Sequence, residues 1–168
     1  QQAIAAIGSG SLEKLYLKFP EVFWDQDVEF INWISEEHGR WNEWLNLTYY
    51  TGEPILLGFN AAEYARKVTN LNEEEIVEDA MQVLRHLYGK KIPQPTAWQT
   101  SNWLNDSFAL GSYSFNAIGA NKQTRKALFD NIEGRLYFAG EATSVDYPAT
   151  VHGAYLSGIE VAHLILNK

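Results

Sequence analysis

The stretch from Arg135 to Leu166 restricts the fold of this chain more than any other. It begins with an apolar run that ends on a glycine, which predicts a buried strand over Arg135–Gly140. A loop reaches Pro148, and a helix is predicted from about Val151 to Leu166. A glycine at the end of a strand lets a ligand approach the backbone closely, and a helix N-terminus favours negative charge. This order of elements indicates an α/β segment that can receive an anionic ligand.

Hydrophobic periodicity over the rest of the chain predicts a mixture of strands and helices. The clearest element is a helix over Asn72–Tyr88, where Asn72 and Glu75 form a capping-box pattern and Gly89 supplies the stop. The fold class is therefore α/β with α+β character. The other predicted elements are strands at Leu12–Phe19 and Val28–Ile34, a hairpin or meander within Trp41–Asn60, a short helix at Ala61–Val68, an extended segment at Thr96–Trp103, an irregular segment at Leu110–Phe115 and a short helical or extended piece at Leu128–Ile132.

Charge and composition exclude several classes of function. The formal net charge of -8 argues against a grip on nucleic-acid phosphates, which needs clustered lysine and arginine. The chain has no cysteine, so it contains no disulfide, no thiolate metal site and no cysteinyl link to a cofactor. Its histidines show no ligand spacing, and we expect no metal. No apolar run approaches the roughly 18 residues of a membrane span and no signal peptide is visible, so we expect a cytoplasmic location.

Several motifs of this chain occur together in one family of flavoenzymes. The longest is Leu136–Thr143 followed by Tyr147–Gly158, which resembles the C-terminal flavin motif of the flavin-containing amine oxidases. The resemblance covers nearly the whole chain, and it is stronger to lysine-specific histone demethylases and plant-type polyamine oxidases than to monoamine oxidases and L-amino-acid oxidases. Further segments match in the same order, namely Gly10–Lys14 with Phe19 and Phe23-Trp24, Leu57–Ala65 with Pro93–Pro95, and Ser101–Trp103 through Gly111–Ser114.

The resemblance implies a two-domain architecture, of which this chain supplies only part. Residues 1–20 and 96–168 would belong to a FAD-binding domain, and residues 21–95 to a substrate-binding domain with a mixed sheet. The family holds the ADP half of FAD on a Gly-x-Gly-x-x-Gly turn. Ile7–Gly10 lacks the third glycine, so we expect that turn in an N-terminal half of the same parent protein. Because the chain also opens on Gln1 rather than Met, we expect a fragment that alone binds FAD poorly and lacks turnover.

Three residues take catalytic positions by the resemblance. Lys14 corresponds to the lysine that holds a water near flavin N5, and Tyr113 corresponds to one wall of the substrate slot in front of the flavin. Thr150 stands where monoamine oxidases carry a second tyrosine, so the two-tyrosine cage is absent and a broader mouth is expected. His152 resembles a motif residue with a structural role rather than a catalytic base.

Three positions bear on the ring of the flavin. Trp103 would pack near the ring system, and Phe108 stands where some relatives carry a second tryptophan. Ser112 occupies the position of the cysteine that bonds covalently to FAD in monoamine oxidases. The resemblance therefore implies a non-covalent FAD.

The segment from Gly140 to Val151 would hold the rest of the cofactor. Gly140 and Glu141 would meet the pyrophosphate and ribityl region. Ala149, Thr150 and Val151 would bind the isoalloxazine end, with the backbone of Thr150 and Val151 donating to the flavin O2 edge. The helix dipole would then lie where a reduced, anionic flavin gathers charge.

The implied activity is the oxidation of an amine. A hydride would pass from the amine α-carbon to flavin N5, the imine would hydrolyse to an aldehyde and an amine or ammonia, and O2 would be reduced to H2O2. Polyamines, monoamines, methylated lysine and amino acids stay open as substrates. None of the arginines lies in a recognised slot motif, which weighs against an amino acid with its carboxylate.

Two alternative functions compete with an amine oxidase. A related FAD oxidoreductase of the desaturase or porphyrinogen-oxidase type belongs to the same superfamily, but Lys14 together with Gly111–Ser114 weighs against it. A non-catalytic interaction module is the second alternative, although the set of Lys14, Trp103, Tyr113 and Glu141 is intact. A flavin spectrum of the parent protein separates the interaction module from the flavoenzymes, because a binding module would carry no flavin.

Overall fold

The computed structural model of the protein describes residues 2–167, which form two compact units. Residues 11–110 make up one unit, called the sheet unit here. Residues 2–10 and 111–167 make up the other, called the C-terminal unit. Both units combine helices with strands, so the mixed α/β class predicted from the sequence is confirmed.

The sheet unit is built on a five-stranded antiparallel sheet. Strand β2 pairs with β5 along its whole length, from Leu12 opposite Ala61 to Lys18 opposite Ile55, and with β6 on its other side. The strands lie in the order β3, β4, β5, β2, β6, with bounds Leu12–Lys18 for β2, Phe30–Asn32 for β3, Glu43–Asn46 for β4, Ile55–Ala61 for β5 and Ala97–Thr100 for β6.

The boundaries of the two units differ from those expected for the domains. The sequence suggested divisions near residues 20 and 96, whereas the units divide after Gly10 and after Leu110. The reason is hydrogen bonding, because β2 and β6 pair in one sheet with the strands that lie between them in the chain. Which unit serves a substrate-binding and which a FAD-binding domain stays a prediction.

Helix α4, Glu73–Tyr88, covers the core of the sheet unit. Asn72 and Glu75 form the reciprocal capping box predicted from the sequence, at 2.9 Å in both directions. Its apolar face buries Met81 and Leu84 against Leu15 of β2. Because neighbouring residues of a strand point to opposite faces, the odd-numbered positions of β2 enter this core. The shorter helix α3 spans Ala62–Val68, where the sequence predicted one.

A single carboxylate, Asp79 of α4, joins three parts of the sheet unit. Its Oδ2 accepts from Trp41 Nε1 at 2.7 Å and from the hydroxyl of Tyr64 at 2.5 Å. Its Oδ1 accepts from Arg40 Nη2 at 2.7 Å. Burial and then the hydrogen bond to Asp79 raise the pKa of Tyr64 above its ordinary value, so the phenol stays a donor. Burial acts to lower the pKa of Arg40, but Asp79 outweighs it and the net direction is upward.

Asn46 at the end of β4 is fully buried and bonded at both ends of its amide. Its Oδ1 accepts from Trp24 Nε1 at 2.9 Å and from the backbone N–H of Thr48 at 3.1 Å. Its Nδ2 donates to the carbonyl of Val28 at 2.8 Å. Asn46 therefore ties the loop before β3 to the turn after β4.

Replacing Asn46 by alanine is expected to lower the free energy of unfolding of the sheet unit by about 2–4 kcal/mol, because it leaves buried donors and acceptors unpaired. All six tryptophans lie between residues 24 and 103, so urea unfolding followed by tryptophan fluorescence reports on this unit. The control is Asn70→Ala, since Asn70 is exposed and bonds only locally, to the carbonyl of Arg66. Equal losses in the two variants would contradict the assigned role of Asn46.

The C-terminal unit has its own small sheet. Strand β1, Ile7–Gly10, pairs antiparallel with β7, Tyr113–Asn116, from Ile7 opposite Asn116 to Gly10 opposite Tyr113. A side chain at Gly8 would overlap the ring of Phe115, so the glycine lets this ring cross β1. No phosphate-binding helix follows β1, because the chain continues directly into β2. The helices of this unit are α1, Gln2–Ala6, α5, Lys122–Phe129, and α6, Val151–Leu166, together with a 3₁₀ turn at Glu141–Thr143.

The buried strand predicted over Arg135–Gly140 is wrong. An isolated antiparallel bridge between Ile132 and Leu136 is the sole β pairing in this segment, and none of residues 135–140 is buried. A strand needs a neighbour for its N–H and C=O groups. No strand of the described residues runs alongside this segment, although its apolar composition suits one.

Two further predictions are corrected, one by a helical turn and one by a strand pairing. Part of the hairpin expected within Trp41–Asn60 is a single helical turn, α2, over Thr48–Thr51. Gly52 ends this turn in the left-handed conformation at φ 75°, and the chain then enters β5. The segment Leu110–Phe115 was expected to be irregular, but from Tyr113 onward it is strand β7 because β1 supplies a partner.

Helix α5 begins earlier than the short piece predicted at Leu128–Ile132. A capping box of Asn121 and Thr124 starts it, and it ends at Phe129. The sequence reading missed this start because the N3 residue of the box is a threonine instead of the usual glutamate or glutamine. The predicted helix at Val151–Leu166 is confirmed as α6.

Helix α6 is apolar but largely uncovered. Only Gly153 and Ser157 of this helix are buried, while Val151 is 90% and Tyr155 69% exposed. Among residues 2–167, no helix combines the length and the apolar composition that crossing a bilayer requires. The exposed face of α6 is therefore an apolar surface of the kind that a protein partner or a ligand normally covers.

Candidate functional site

Lys14 lies on β2, an interior strand of the sheet unit that pairs with β5 on one side and β6 on the other. Its backbone N–H donates to Ser101 Oγ at 2.8 Å, and its carbonyl accepts from the Ser101 N–H at 2.9 Å. On the other side it pairs with Phe59 of β5. Hydrogen bonds thus hold the backbone of Lys14 on both sides, so its half-buried side chain extends from a fixed Cα position.

Glu13, the neighbour of Lys14, is a buried carboxylate that the sequence reading did not single out. It is 3% exposed and accepts from Ser101 Oγ at 2.6 Å. It also accepts from the backbone N–H groups of Trp103 and Leu104, both at 3.2 Å. Glu13 occupies an odd-numbered position of β2, on the face that buries Leu15 and Leu17. A charged residue at a position where the alternation predicts a buried apolar one was the signal that could have identified it.

Trp103 and Phe108 both present their rings to solvent in the sheet unit. The indole of Trp103 is 44% exposed and Phe108 is 99% exposed, although the backbone of Trp103 is fixed by Glu13. Large exposed aromatic side chains are available for contact with a flat ligand. Their predicted packing on a flavin ring stays a prediction.

A cavity of about 220 Å³ opens beside Glu13 and Lys14 within the sheet unit. Asn60 also lines it, and its Nδ2 is the one buried side-chain nitrogen or oxygen among the described residues without a hydrogen-bond partner. The amide orientation follows from the backbone N–H of Trp41, which donates to Asn60 Oδ1 at 3.1 Å. Asn60 thus combines an unpaired buried donor with a place in the cavity wall.

In the C-terminal unit, Gly111 and Ser112 lead into β7 and the predicted substrate wall, Tyr113. Gly111 has φ 145°, and a side chain there would overlap the hydroxyl of Ser9. The N–H of Ser112 donates to the carbonyl of Gly10 at 2.8 Å. Tyr113 stands on β7 and is 41% exposed. The backbone conformation at the first position of the Gly-Ser-Tyr-Ser stretch thus requires a glycine. The tyrosine of the same stretch is accessible to a ligand.

Gly140 leaves its backbone open to a ligand. It has φ 137°, and a side chain built there would meet nothing within 4 Å. Its N–H donates to Ser157 Oγ of α6 at 2.9 Å, which fixes the turn against the helix. A conformation reserved for glycine beside open space is suited to the close approach of a ligand to the backbone.

Glu141 uses its carboxylate inside the protein. Its Oε1 accepts from the N–H of Ser114 at 2.8 Å, and its Oε2 accepts from Ser114 Oγ at 2.8 Å and from the N–H of Ala149 at 2.6 Å. The side chain thereby links β7 to the turn before α6. A buried arginine, Arg125, bonds to the same serine and was also missed by the sequence reading.

The N-terminus of α6 is exposed and well formed. Thr150 caps it by accepting from the N–H of Gly153 at 3.0 Å, while its hydroxyl donates to the carbonyl of Tyr147 at 2.8 Å. Ala149 before it is left-handed at φ 58°. The first-turn N–H groups of Val151 and His152 have no acceptor within the helix, so they are available to bind an anionic ligand. The ring of His152 contacts that of Tyr147 at 4.8 Å, in keeping with a structural role.

Gly153 is required for the turn that precedes α6. A side chain there would overlap the carbonyl oxygen of Tyr147, which receives the Thr150 hydroxyl. Gly153→Ala is therefore expected to destabilise the C-terminal unit by about 1–3 kcal/mol. Gly158→Ala on the same helix meets nothing within 4 Å and should instead stabilise it by about 0.5–1 kcal/mol. Hydrogen exchange of the α6 amides measures both, and the same sign in the two variants would refute this account.

A family model described as "Flavin containing amine oxidoreductase" matches residues 1–166. The chain belongs to this family of flavin-dependent amine oxidoreductases.

Curated relatives are similar over almost the whole chain. It is 36% identical over 173 residues to "Lysine-specific histone demethylase 1 homolog 3" of Oryza sativa subsp. indica, covering 98% of this chain and 21% of that protein. It is 36% identical over 169 residues to the protein of that name in Arabidopsis thaliana, covering 98% and 10%. It is 34% identical over 178 residues to "Possible lysine-specific histone demethylase 1" of Drosophila melanogaster, covering 99% and 20%. The chain thus spans between a tenth and about a fifth of these relatives.

The cofactor of this family is FAD, and the residues described above fit it. The open backbone at Gly140 and the free N–H groups of the first turn of α6 suit a group that carries phosphates and a ring with polar edges. The FAD of this family is held non-covalently, and because the chain has no cysteine, its own residues cannot form a thioether to the flavin.

Proposed function

We propose that this chain is part of an FAD-dependent amine oxidase. The observation that carries the proposal is the joined pair of open features in the C-terminal unit, Gly140 and the N-terminus of α6. Ser157 of α6 accepts from the N–H of Gly140, and Glu141 accepts from the N–H of Ala149 just before α6, so hydrogen bonds link the two features. The family membership supports the same proposal.

When bound, FAD would supply the acceptor at N5 for a hydride from the amine α-carbon, and O2 would reoxidise it with formation of H2O2. Lys14 would hold a water near flavin N5, and Tyr113 would form one wall of the substrate slot in front of the flavin. Thr150 caps α6 so that its N–H dipoles face the developing negative charge. The imine product hydrolyses to an aldehyde and an amine or ammonia.

FAD contacts are divided among the remaining predicted residues. Trp103 and Phe108 offer exposed rings for stacking, and Ser112 stands in place of a covalent cysteine. Gly140 and Glu141 lie at the pyrophosphate and ribityl end of the proposed site. Ala149 and Val151, on either side of the Thr150 cap, lie at the isoalloxazine end.

Methylated lysine is the amine that we favour as substrate. The relatives reported above are named as lysine-specific histone demethylases, and the net charge of -8 suits a cationic substrate through electrostatic steering. Polyamines, monoamines and amino acids are the competing classes, and an assay over all four decides among them. A cytoplasmic location, expected from the sequence, stays a prediction that cell fractionation checks.

The proposed partner of the chain is the N-terminal half of the same parent protein, which would carry the Gly-x-Gly-x-x-Gly turn. The exposed apolar side chains of α6 support this, because such a surface is normally covered in a folded protein. We call the chain together with that half the holoenzyme. FAD titration should show weak binding to the chain alone and tight binding to the holoenzyme, and tight binding to the chain alone would contradict the need for a partner.

The test of the function is amine-dependent peroxide production by the holoenzyme. The panel contains a polyamine, a monoamine, a monomethyl-lysine peptide and an amino acid, each with and without O2. We expect bound flavin that acid precipitation releases into the supernatant, and peroxide with at least one amine. A holoenzyme without flavin would favour the interaction module, and one with flavin but no amine turnover would favour a related FAD oxidoreductase.

A further inference from the structure

Arg125 of α5 is a buried cation whose role the family motifs do not cover. It is 3% exposed, and its Nε donates to Asn116 Oδ1 at 2.8 Å. Its Nη1 donates to Ser114 Oγ at 2.8 Å and to the carbonyl of Ala142 at 3.1 Å. These acceptors are neutral oxygens. Burying a guanidinium among neutral groups carries a desolvation cost, so its position needs a reason beyond charge pairing.

The hydrogen-bond pattern supplies that reason. A guanidinium only donates, so Arg125 occupies Ser114 Oγ as an acceptor. The single hydrogen of that hydroxyl must then go elsewhere, and it goes to Glu141 Oε2 at 2.8 Å. Arg125 therefore sets the direction of the Ser114 hydroxyl and, through it, the orientation of the Glu141 carboxylate.

Glu141 passes this orientation to the turn before α6. The same Oε2 accepts from the N–H of Ala149 at 2.6 Å. Ala149 is left-handed at φ 58°, a conformation that costs an alanine about 1 kcal/mol or more unless its surroundings hold it. Directly after it comes Thr150, the N-cap of α6. The Glu141 carboxylate, which accepts from the N–H and the hydroxyl of Ser114, thus holds the strained turn through its third bond, to the N–H of Ala149.

We propose that Arg125 is a positioning residue for the flavin-facing end of α6, acting through Ser114 and Glu141 on the Ala149 turn. The flavin part of this inference rests on the proposed function. The coupling between Arg125 and Ala149 rests on the hydrogen bonds alone. In this role the side chain of Glu141 orients the backbone that meets the cofactor.

The first test uses the full chain without flavin and measures hydrogen exchange of the Ala149 amide by NMR. Arg125→Met is expected to speed this exchange about tenfold, since the Glu141 acceptor is no longer held in place. The control is Lys126→Met, the exposed neighbour on the same helix, which should keep the wild-type rate. Amides at the C-terminal end of α6 should keep their rates in every variant.

A second variant guards against loss of folding. Ser114→Ala removes only the hydroxyl link and keeps the backbone N–H that binds Glu141 Oε1. If Arg125→Met does not fold, the same acceleration at Ala149 in Ser114→Ala supports the inference. An Ala149 exchange rate that Ser114→Ala leaves unchanged overturns it.

The second test uses the holoenzyme and measures the reduction potential of the bound flavin. We expect Arg125→Met to lower the potential relative to wild type and Lys126→Met, because a misaligned first turn of α6 stabilises the anionic reduced flavin less. General destabilisation alone would leave the potential of correctly folded molecules unchanged. A wild-type holoenzyme without flavin contradicts the proposed function and overturns the flavin part of the inference, while the exchange test still decides the coupling between Arg125 and Ala149.

Discussion

Replacing Lys14 by methionine is expected to lower amine turnover in the holoenzyme by about 10²–10⁴-fold, the range over which a positioned proton-transfer group or its water contributes. Methionine keeps an unbranched side chain as far as the ε position and removes the amine that would hold the water. The backbone bonds of Lys14 to Ser101 do not involve the side chain, so the fold of β2 should persist. Peroxide formation gives the overall rate, and anaerobic mixing with amine isolates reduction of the flavin from its reoxidation.

The matched control for Lys14 is Lys18→Met on the same strand. Lys18 points to the same face, but its amine is exposed and pairs with Glu53 at 2.7 Å. Exposed ion pairs contribute little, so this variant should keep turnover and nearly all stability. Full turnover in Lys14→Met would remove Lys14 from the proposed mechanism, whatever the control shows.

Asp79→Ala is expected to lower the free energy of unfolding of the sheet unit by about 3 kcal/mol. The change leaves the indole N–H of Trp41, the hydroxyl of Tyr64 and the guanidinium of Arg40 without their common acceptor. The carboxylate is mostly buried, with its side chain 18% exposed, so water replaces these bonds poorly. Urea unfolding followed by tryptophan fluorescence measures the loss, and Trp41 is itself one of the probes.

Glu78→Ala, one residue earlier on the same helix, is the control for Asp79. Its carboxylate pairs with Arg85 at 2.6 Å but is 55% exposed, and an exposed pair of this kind contributes at most about 1 kcal/mol. The ratio of the two losses in unfolding free energy shows whether the buried hydrogen bonds of Asp79 contribute more than an exposed ion pair does. If Glu78→Ala costs as much as Asp79→Ala, the network around Asp79 is not what joins Trp41 and Tyr64 to α4.

The elements that the sequence predicted correctly are those with local determinants. The capping box at Asn72 and Glu75 and the alternation along Leu12–Lys18 are complete within a few residues, and both elements are present as expected. The strand predicted over Arg135–Gly140 failed for the opposite reason. An apolar run encodes a preference for a sheet, but the partner strand must come from elsewhere, and the described residues supply none.

The same distinction between local and long-range determinants applies to the residues of the candidate site. Motif resemblance predicts Lys14, Tyr113 and Thr150 as catalytic residues, because each lies within a short motif that the sequence alone displays. It missed Glu13 and Arg125, because their partners lie far away in sequence. Glu13 binds Trp103, 90 residues later, and Arg125 binds Ser114 on β7 and the carbonyl of Ala142. Such partners become visible only when the strand pairing is known.

The buried position of Asn46 has a consequence for producing this protein. Asn46 begins the tripeptide Asn-Leu-Thr, which is an acceptor for N-linked glycosylation. A sugar can be attached only while this segment is still unfolded, and a glycosylated Asn46 could not return to its site, where both ends of the amide are bonded. Passage through a glycosylating secretory pathway would therefore trap a fraction of the molecules outside the native fold, and a host that does not glycosylate avoids that loss.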